Sequence, residues 1–127
     1  MNEWELWVAL QWYDAISSGE KTIEGRVSDP EKPSKNYKTM SIGDIGVFRA
    51  VDEHYKLLNM SALRFSIDAI RHYGTVEAML ECEGLQNVLP GVPSIADGVA
   101  VYHAFPGYLE RIQKFGIYAI EIGKKIE

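Results

Sequence analysis

Apolar side chains recur at every second position in several separate stretches of this chain. Trp4, Leu6 and Val8 alternate with polar or small neighbours, Ile23 and Val27 oppose Thr22, Glu24 and Arg26, and Leu63, Phe65, Ile67 and Ala69 repeat the pattern. Period two is the mark of a strand with one face in a core, so these stretches predict β-structure rather than a helical bundle. Ile45 to Val51 follows a Gly43-Asp44 turn as a further strand, and Gly116 to Ile122 reads as the closing one, with Lys124 and Lys125 solvated after it. Lys56 to Ile70 is expected to form one long bent strand or two shorter ones.

Helical spacing is confined to short pieces. Trp12, Tyr13 and Ile16 fit a helix over Gln11 to Ser18 stopped by Gly19. Thr75 and Ser94 stand as N-caps before apolar stripes at Val76, Met79 and Leu80 and at Ile95, Val99 and Tyr102; Glu77, Glu81 and Glu83 are expected to face water. Pro106-Gly107 ends the second of these helices. Five or six strands with short helices packed at their side predict an α+β, mainly β fold, a small twisted mixed β-barrel.

At 127 residues the chain has the size of one domain, expected to span 1–127, and its 46% hydrophobic and 24% charged content is that of an ordinary globule. No apolar run is long enough to span a bilayer, so no membrane partner is expected. The acidic start, with Glu3, Glu5 and Asp14, does not read as a signal peptide, which leads to an expectation of the cytoplasm, or the nucleus. The lone Cys82 makes no internal disulfide; flanked by Glu81 and Glu83, which disfavour a thiolate, it reads as structural. His54, His72 and His103 have no ligand-spaced partners, no glycine-rich phosphate cradle follows a strand, and no Gly-x-Ser-x-Gly elbow is present. Neither a metal nor a cofactor is expected.

A net charge of −5 argues against coating nucleic acid by bulk electrostatics. The charge is uneven, however: residues 21 to 75 carry nine bases against seven acids, the one net-positive region and room for a localised anion site. Within it, Gly19-Glu20-Lys21-Thr22-Ile23-Glu24-Gly25-Arg26 places Glu24 and Arg26 on one strand face, where Glu24 can hold Arg26 or act as a base, with Lys21 free to reach the same place. By spacing alone such a trio is more often a surface ion pair worth little. Residues 28 to 41, with Asp29, Pro30, Pro33, Ser34 and Asn36, read as a long loop, either a lid or a disordered insertion.

Gly19-x-Lys21-x-x-Glu24-x-Arg26 resembles the signature of the ASCH (activating signal cointegrator homology) domain family, whose fold is similar to the PUA barrel of RNA-modifying proteins. Gly43-Asp44-Ile45, Thr75 to Leu80, Leu89-Pro90-Gly91-Val92 and Gly116 to Ile122 also resemble its small members, so the likeness spans roughly Leu6 to Ile122. The resemblance implies a PUA-like barrel whose cleft is lined by the signature and binds RNA, a nucleotide or a nucleoside. Lys21 and Arg26 would meet phosphate or a polar base edge, Glu24 would orient Arg26 or accept a base amino group, and Tyr108 would be a stacking platform, or else a tyrosine that anchors its loop. An alternative is a small nucleic-acid enzyme. A ribonuclease would use Lys21 to stabilise the phosphate and Glu24 as base. An amidohydrolase acting on a modified nucleoside such as acetylcytidine has, in similar proteins, a threonine where this chain has Glu24, leaving Thr22 as the nearby hydroxyl. Protein recruitment is a third reading, for which this chain has no additional domain.

Overall fold

The computed structural model describes residues 1–126. Strand β1 (Glu3–Ala9) runs directly into helix α1 (Leu10–Ser18), whose Tyr13 and Ile16, three apart, point to the core. Gly19 ends α1 in the left-handed conformation, φ 85°, with its N–H on the Ile16 carbonyl, a geometry that favours glycine. Strand β2 (Ile23–Arg26) follows, and then, after residues 27–44, β3 (Ile45–Val51) and the long β4 (Leu63–Tyr73). Four helices come next: α2 (Val76–Glu83), α3 (Leu85–Val88), α4 (Ile95–His103) and α5 (Tyr108–Phe115). Strand β5 (Ile117–Lys125) closes the chain.

The five strands form one mixed sheet in the order β1-β3-β4-β5-β2, parallel only between β1 and β3, and the sheet curls into a half-barrel. Register shifts between Phe65 and Ala69 bend β4, a single bent strand that starts at Leu63 and not at the expected Lys56 and runs past Ile70 to Tyr73; Leu57 makes only an isolated bridge to Val51. Thr75 and Ser94 cap α2 and α4 as expected, each hydroxyl accepting the N–H three residues on, at 3.1 Å. No helix is long and apolar enough, among the described residues, to cross a membrane.

Two apolar cores lie on the two faces of the sheet. Inside the curl, Trp4, Leu6, Val8, Phe48, Ile67 and Ile120 pack with Tyr13 and Ile16; on the outer face, Ile23, Val27, Ile117 and Ala119 meet the helices through Val76, Met79, Leu80 and Tyr102. The alternation of β5, Ile120 inward and Ile117 and Ala119 outward, explains how a strand of near-continuous apolar residues serves both. Residues 28 to 41 are not a disordered insertion: two 3-10 turns, Pro33–Lys35 and Tyr37–Thr39, shape them, and Tyr37 and Met40 anchor them in the inner core.

Some expectations need correcting. Glu83 does not face water: the last turn of α2 lies over β4, where the Arg71 guanidinium grips its carboxylate through two 2.7 Å hydrogen bonds and the Tyr73 hydroxyl donates at 2.5 Å. Tyr108 is not in a loop but is the first residue of α5, a helix that sequence spacing did not bring out, and Cys82 is exposed.

Asp44 is the polar knot of the inner core. One carboxylate oxygen accepts the Asn2 N–H at 3.0 Å, and the other accepts both the Trp4 indole N–H and the Ser41 N–H at 2.9 Å, tying together β1, β3 and the end of the loop. Burial pushes its pKa up, but the three donors outweigh it and hold the carboxyl below its ordinary range. Charge-assisted bonds of this kind are worth roughly 1.5–3 kcal/mol each and are not additive. Asp44→Ala is therefore expected to lose about 3–5 kcal/mol in urea unfolding at neutral pH; a loss below about 1 kcal/mol overturns this account.

Candidate functional site

After Gly19 turns the chain, the Lys21 N–H returns to the Ala15 carbonyl, the Thr22 N–H bonds the Asn87 carbonyl of α3, and the Thr22 carbonyl accepts the Ile122 N–H, where β2 begins its ladder with β5. Glu24 pairs with Ile120 and Arg26 with Tyr118, so both charged side chains stand on the inner face of the curl. Gly25 faces the other way, and only glycine fits there: a Cβ would lie 2.5 Å from the buried Tyr102 hydroxyl.

The trio is not the surface ion pair that its spacing favours. Lys21 is 2% exposed and Glu24 6%, and all the donors of the Lys21 ammonium find acceptors: the Ile23 carbonyl at 2.8 Å, the Val88 carbonyl, and the Glu24 carboxylate at 3.3 Å. The Trp12 ring lies 5.6 Å from the same ammonium. The other Glu24 oxygen takes Arg26 through Nε at 2.9 Å and Nη2 at 2.7 Å, and Nη2 also donates to the Trp7 carbonyl at 2.6 Å. Arg26 thereby joins β2 to β1, the two edge strands that share no ladder.

Burial disfavours every charge in this cluster, and the partners decide the outcome. Glu24 is pushed up by burial but held below the usual carboxylate range by Arg26 and Lys21. Burial lowers the Lys21 pKa more than Glu24 restores it; burial also weakens the Arg26 charge, but Glu24 together with the phenols of Tyr108 and Tyr37 outweighs it and holds the guanidinium charged. A carboxylate kept ionised between two cations is a poor proton acceptor at neutral pH. Its chemistry is to fix Arg26, with Lys21 fixing the carboxylate from behind.

Arg26 opens on a cleft of about 650 Å³ along the seam between the sheet edges. Glu3, Glu5 and Trp7 of β1 form one wall, Pro33 to Thr39 of the loop another, and Tyr55 stands among the lining residues. The structure thus brings Lys21, Glu24 and Arg26 together, with only the Arg26 side chain, 11% exposed, lining the cleft. Thr22 is exposed and precedes β2. The Tyr108 ring is occupied by the Arg111 guanidinium at 5.4 Å and by Phe105 at 5.1 Å; burial raises its pKa, and the charges of Arg26 and Glu24 reach its phenol. Sequence reasoning missed Trp7, Tyr37 and Tyr55. For Trp7 a signal exists: it is an aromatic at the position in β1 where Glu3 and Glu5 set a polar face.

No protein-family model and no curated protein matches this chain. Two solved structures are similar to it from end to end: hypothetical protein PH0355, 38% identical with a TM-score of 0.76 over 98% of this chain and 99% of that one, and PF0455 from Pyrococcus furiosus, 37% identical with a TM-score of 0.69 over 98% of each. ZmASCH from Zymomonas mobilis is 14% identical, with a TM-score of 0.59 over 99% of this chain and 74% of that one. The chain belongs to the family of PH0355 and PF0455, and its fold is the ASCH fold. The mainly β half-barrel with short helices is consistent with the PUA-like barrel expected from the Gly19 to Arg26 signature.

In this ASCH-fold protein the buried trio gives a sharp stability test. Glu24→Gln leaves two buried cations facing each other and is expected to cost about 3–5 kcal/mol in urea unfolding at neutral pH. Lys21→Met is expected to cost less, because Arg26 still neutralises Glu24. The folded pKa of Glu24 lies below its ordinary 4.5, so its contribution is complete above that pH and is lost as pH falls through the folded value. Glu24→Gln therefore unfolds with a shallower acid dependence below about pH 4.5; an unchanged acid limb, or the reverse order of the two variants, overturns the assignment.

Proposed function

We propose that this ASCH-fold protein, acting as one domain over its 127 residues, binds RNA or a nucleotide in the seam cleft. Arg26 meets a phosphate or polar base edge, and Glu24 and Lys21 hold it. The observation that supports this is the state of Arg26: a guanidinium gripped by Glu24 and the Trp7 carbonyl, yet open on one side to a cleft of about 650 Å³, within the range of small-ligand sites. A fixed guanidinium offers planar donors without losing much entropy on binding, which suits phosphate and base carbonyls alike. The amidohydrolase alternative would need Thr22 to give up its proton and attack as a nucleophile, and the ribonuclease alternative would need Glu24 to take a proton; the exposure of the first, outside the cleft lining, and the double pairing of the second give them less support.

The net charge of −5 means that attraction is local, so few phosphates are neutralised. Titration of labelled single-stranded and duplex RNAs by fluorescence anisotropy across a salt series is expected to show saturable binding with a slope of about one released counterion, not the six to ten of a coating protein. Arg26→Ala is expected to weaken binding and flatten that slope by about 0.7, while Arg26→Lys keeps the slope and loses affinity. Binding of neither RNA nor nucleoside monophosphates at low salt, or an Arg26→Ala protein with unchanged affinity and slope, overturns this reading.

A further inference from the structure

The cleft contains two features that Arg26 alone does not explain. The first is the free edge of β1. The ladder to β3 begins with the Ile45 N–H on the Asn2 carbonyl, and in the observed register Asn2, Trp4 and Leu6 direct their backbone groups to β3. Glu3, Glu5 and Trp7 therefore direct theirs to the open side, which is the cleft, and of these groups the Trp7 carbonyl is taken by Arg26.

The second is Tyr55. It is the one non-glycine residue, among the described residues, with a positive φ, at 64°, and it is 58% exposed. The turn that carries it is pinned by Asp52, whose carboxylate accepts the N–H groups of His54 at 2.8 Å and Lys56 at 3.0 Å, and whose carbonyl accepts that of Tyr55. A large aromatic in this conformation is unusual, and glycine would fit more easily. The ring instead lies 6.1 Å from that of Trp7, at an interplanar angle of 30°, on the wall of the cleft.

We propose that Tyr55, beside Trp7, is the stacking platform for an unpaired nucleobase whose polar edge meets the open backbone of Glu5 and the N–H of Trp7. This rests on the nucleotide reading above and names its ligand class: a base outside a duplex, presented by a free nucleotide or by single-stranded RNA. An aromatic face is accessible to a base only when that base is unstacked from its neighbours. A planar ring needs only one or two donors and acceptors. An added peptide strand needs a continuous ladder, which Arg26 interrupts at Trp7.

The test titrates the intact protein with nucleoside 5′-monophosphates and ribose 5-phosphate by calorimetry, and with short single-stranded and duplex RNAs by anisotropy. Nucleotides are expected to bind at least about tenfold more tightly than ribose 5-phosphate. Tyr55→Ala is expected to remove most of that difference without changing affinity for ribose 5-phosphate, and Tyr55→Phe to retain it. Tyr55→Gly, with its positive φ relieved, is expected to match the binding loss of Tyr55→Ala with a Tm at or above it, which separates the platform from a folding role. Tight single-stranded RNA with weak mononucleotides assigns the base to a strand, and the reverse assigns it to a free ligand. Nucleotide binding that Tyr55→Ala leaves intact overturns the platform while the Arg26 reading stands. Equal affinity for duplex and single strand overturns the unpaired base, and no binding of any of these ligands removes both readings together.

Discussion

A carboxylate buried between two cations governs the rest of this structure. Taking Lys21, Glu24 and Arg26 out of water costs several kcal/mol for each charge, and their mutual attraction offsets this only where the remaining donors are also satisfied. The fold meets that condition with backbone: Ile23 and Val88 take the free protons of Lys21, and Trp7 takes the outer donor of Arg26. Each of these acceptors belongs to a different element. The cluster therefore places α3, β1 and β2 relative to one another, which apolar packing alone specifies less strictly.

The same cluster decides why the barrel has a cleft. A sheet that closed fully would pair β1 with β2 and leave no free edge. Here the two edges are bridged by one guanidinium instead of a ladder, and the loop anchored by Tyr37 and Met40 forms a wall beside the gap. Asp44 secures the other end of that loop through Ser41 and the start of β1 through Asn2 and Trp4. Two buried carboxylates thus hold the two sides of one opening. Both are held below their ordinary range by the groups they bind, so both contributions fade in acid.

Much of this was legible where the physics is local. Alternation put Glu24 and Arg26 on one face of β2 and Ile23 and Val27 on the other, and hydroxyl caps marked the starts of α2 and α4. What escaped was set at a distance. Nothing within β2 shows that the helices and the inner core bury both of its faces, so an ion pair that spacing would leave on the surface is buried. Helix α5 escaped because its apolar residues Leu109, Ile112 and Phe115 give a short stripe, two of them exposed, directly after a Pro-Gly turn. Glu83 looked solvated because its partners Arg71 and Tyr73 belong to another element. Tyr55 gave no periodic signal at all, since its place in the cleft follows from the turn that Asp52 pins.

The charges at the mouth of the cleft complete the logic of selectivity. Glu3 is paired by Arg64 through two bonds of 2.9 and 2.7 Å, and Glu5 is paired by Arg49, so the acids beside the opening are balanced by bases from β4 and β3. With the surface net negative and the mouth neutralised, little of the molecule attracts an arbitrary run of phosphates. On the proposed reading, a ligand would gain its affinity inside the seam, from one fixed guanidinium, an open strand edge and an aromatic face. On that reading a single nucleotide unit would supply counterparts to all three, whereas a duplex backbone would supply a counterpart only to the first.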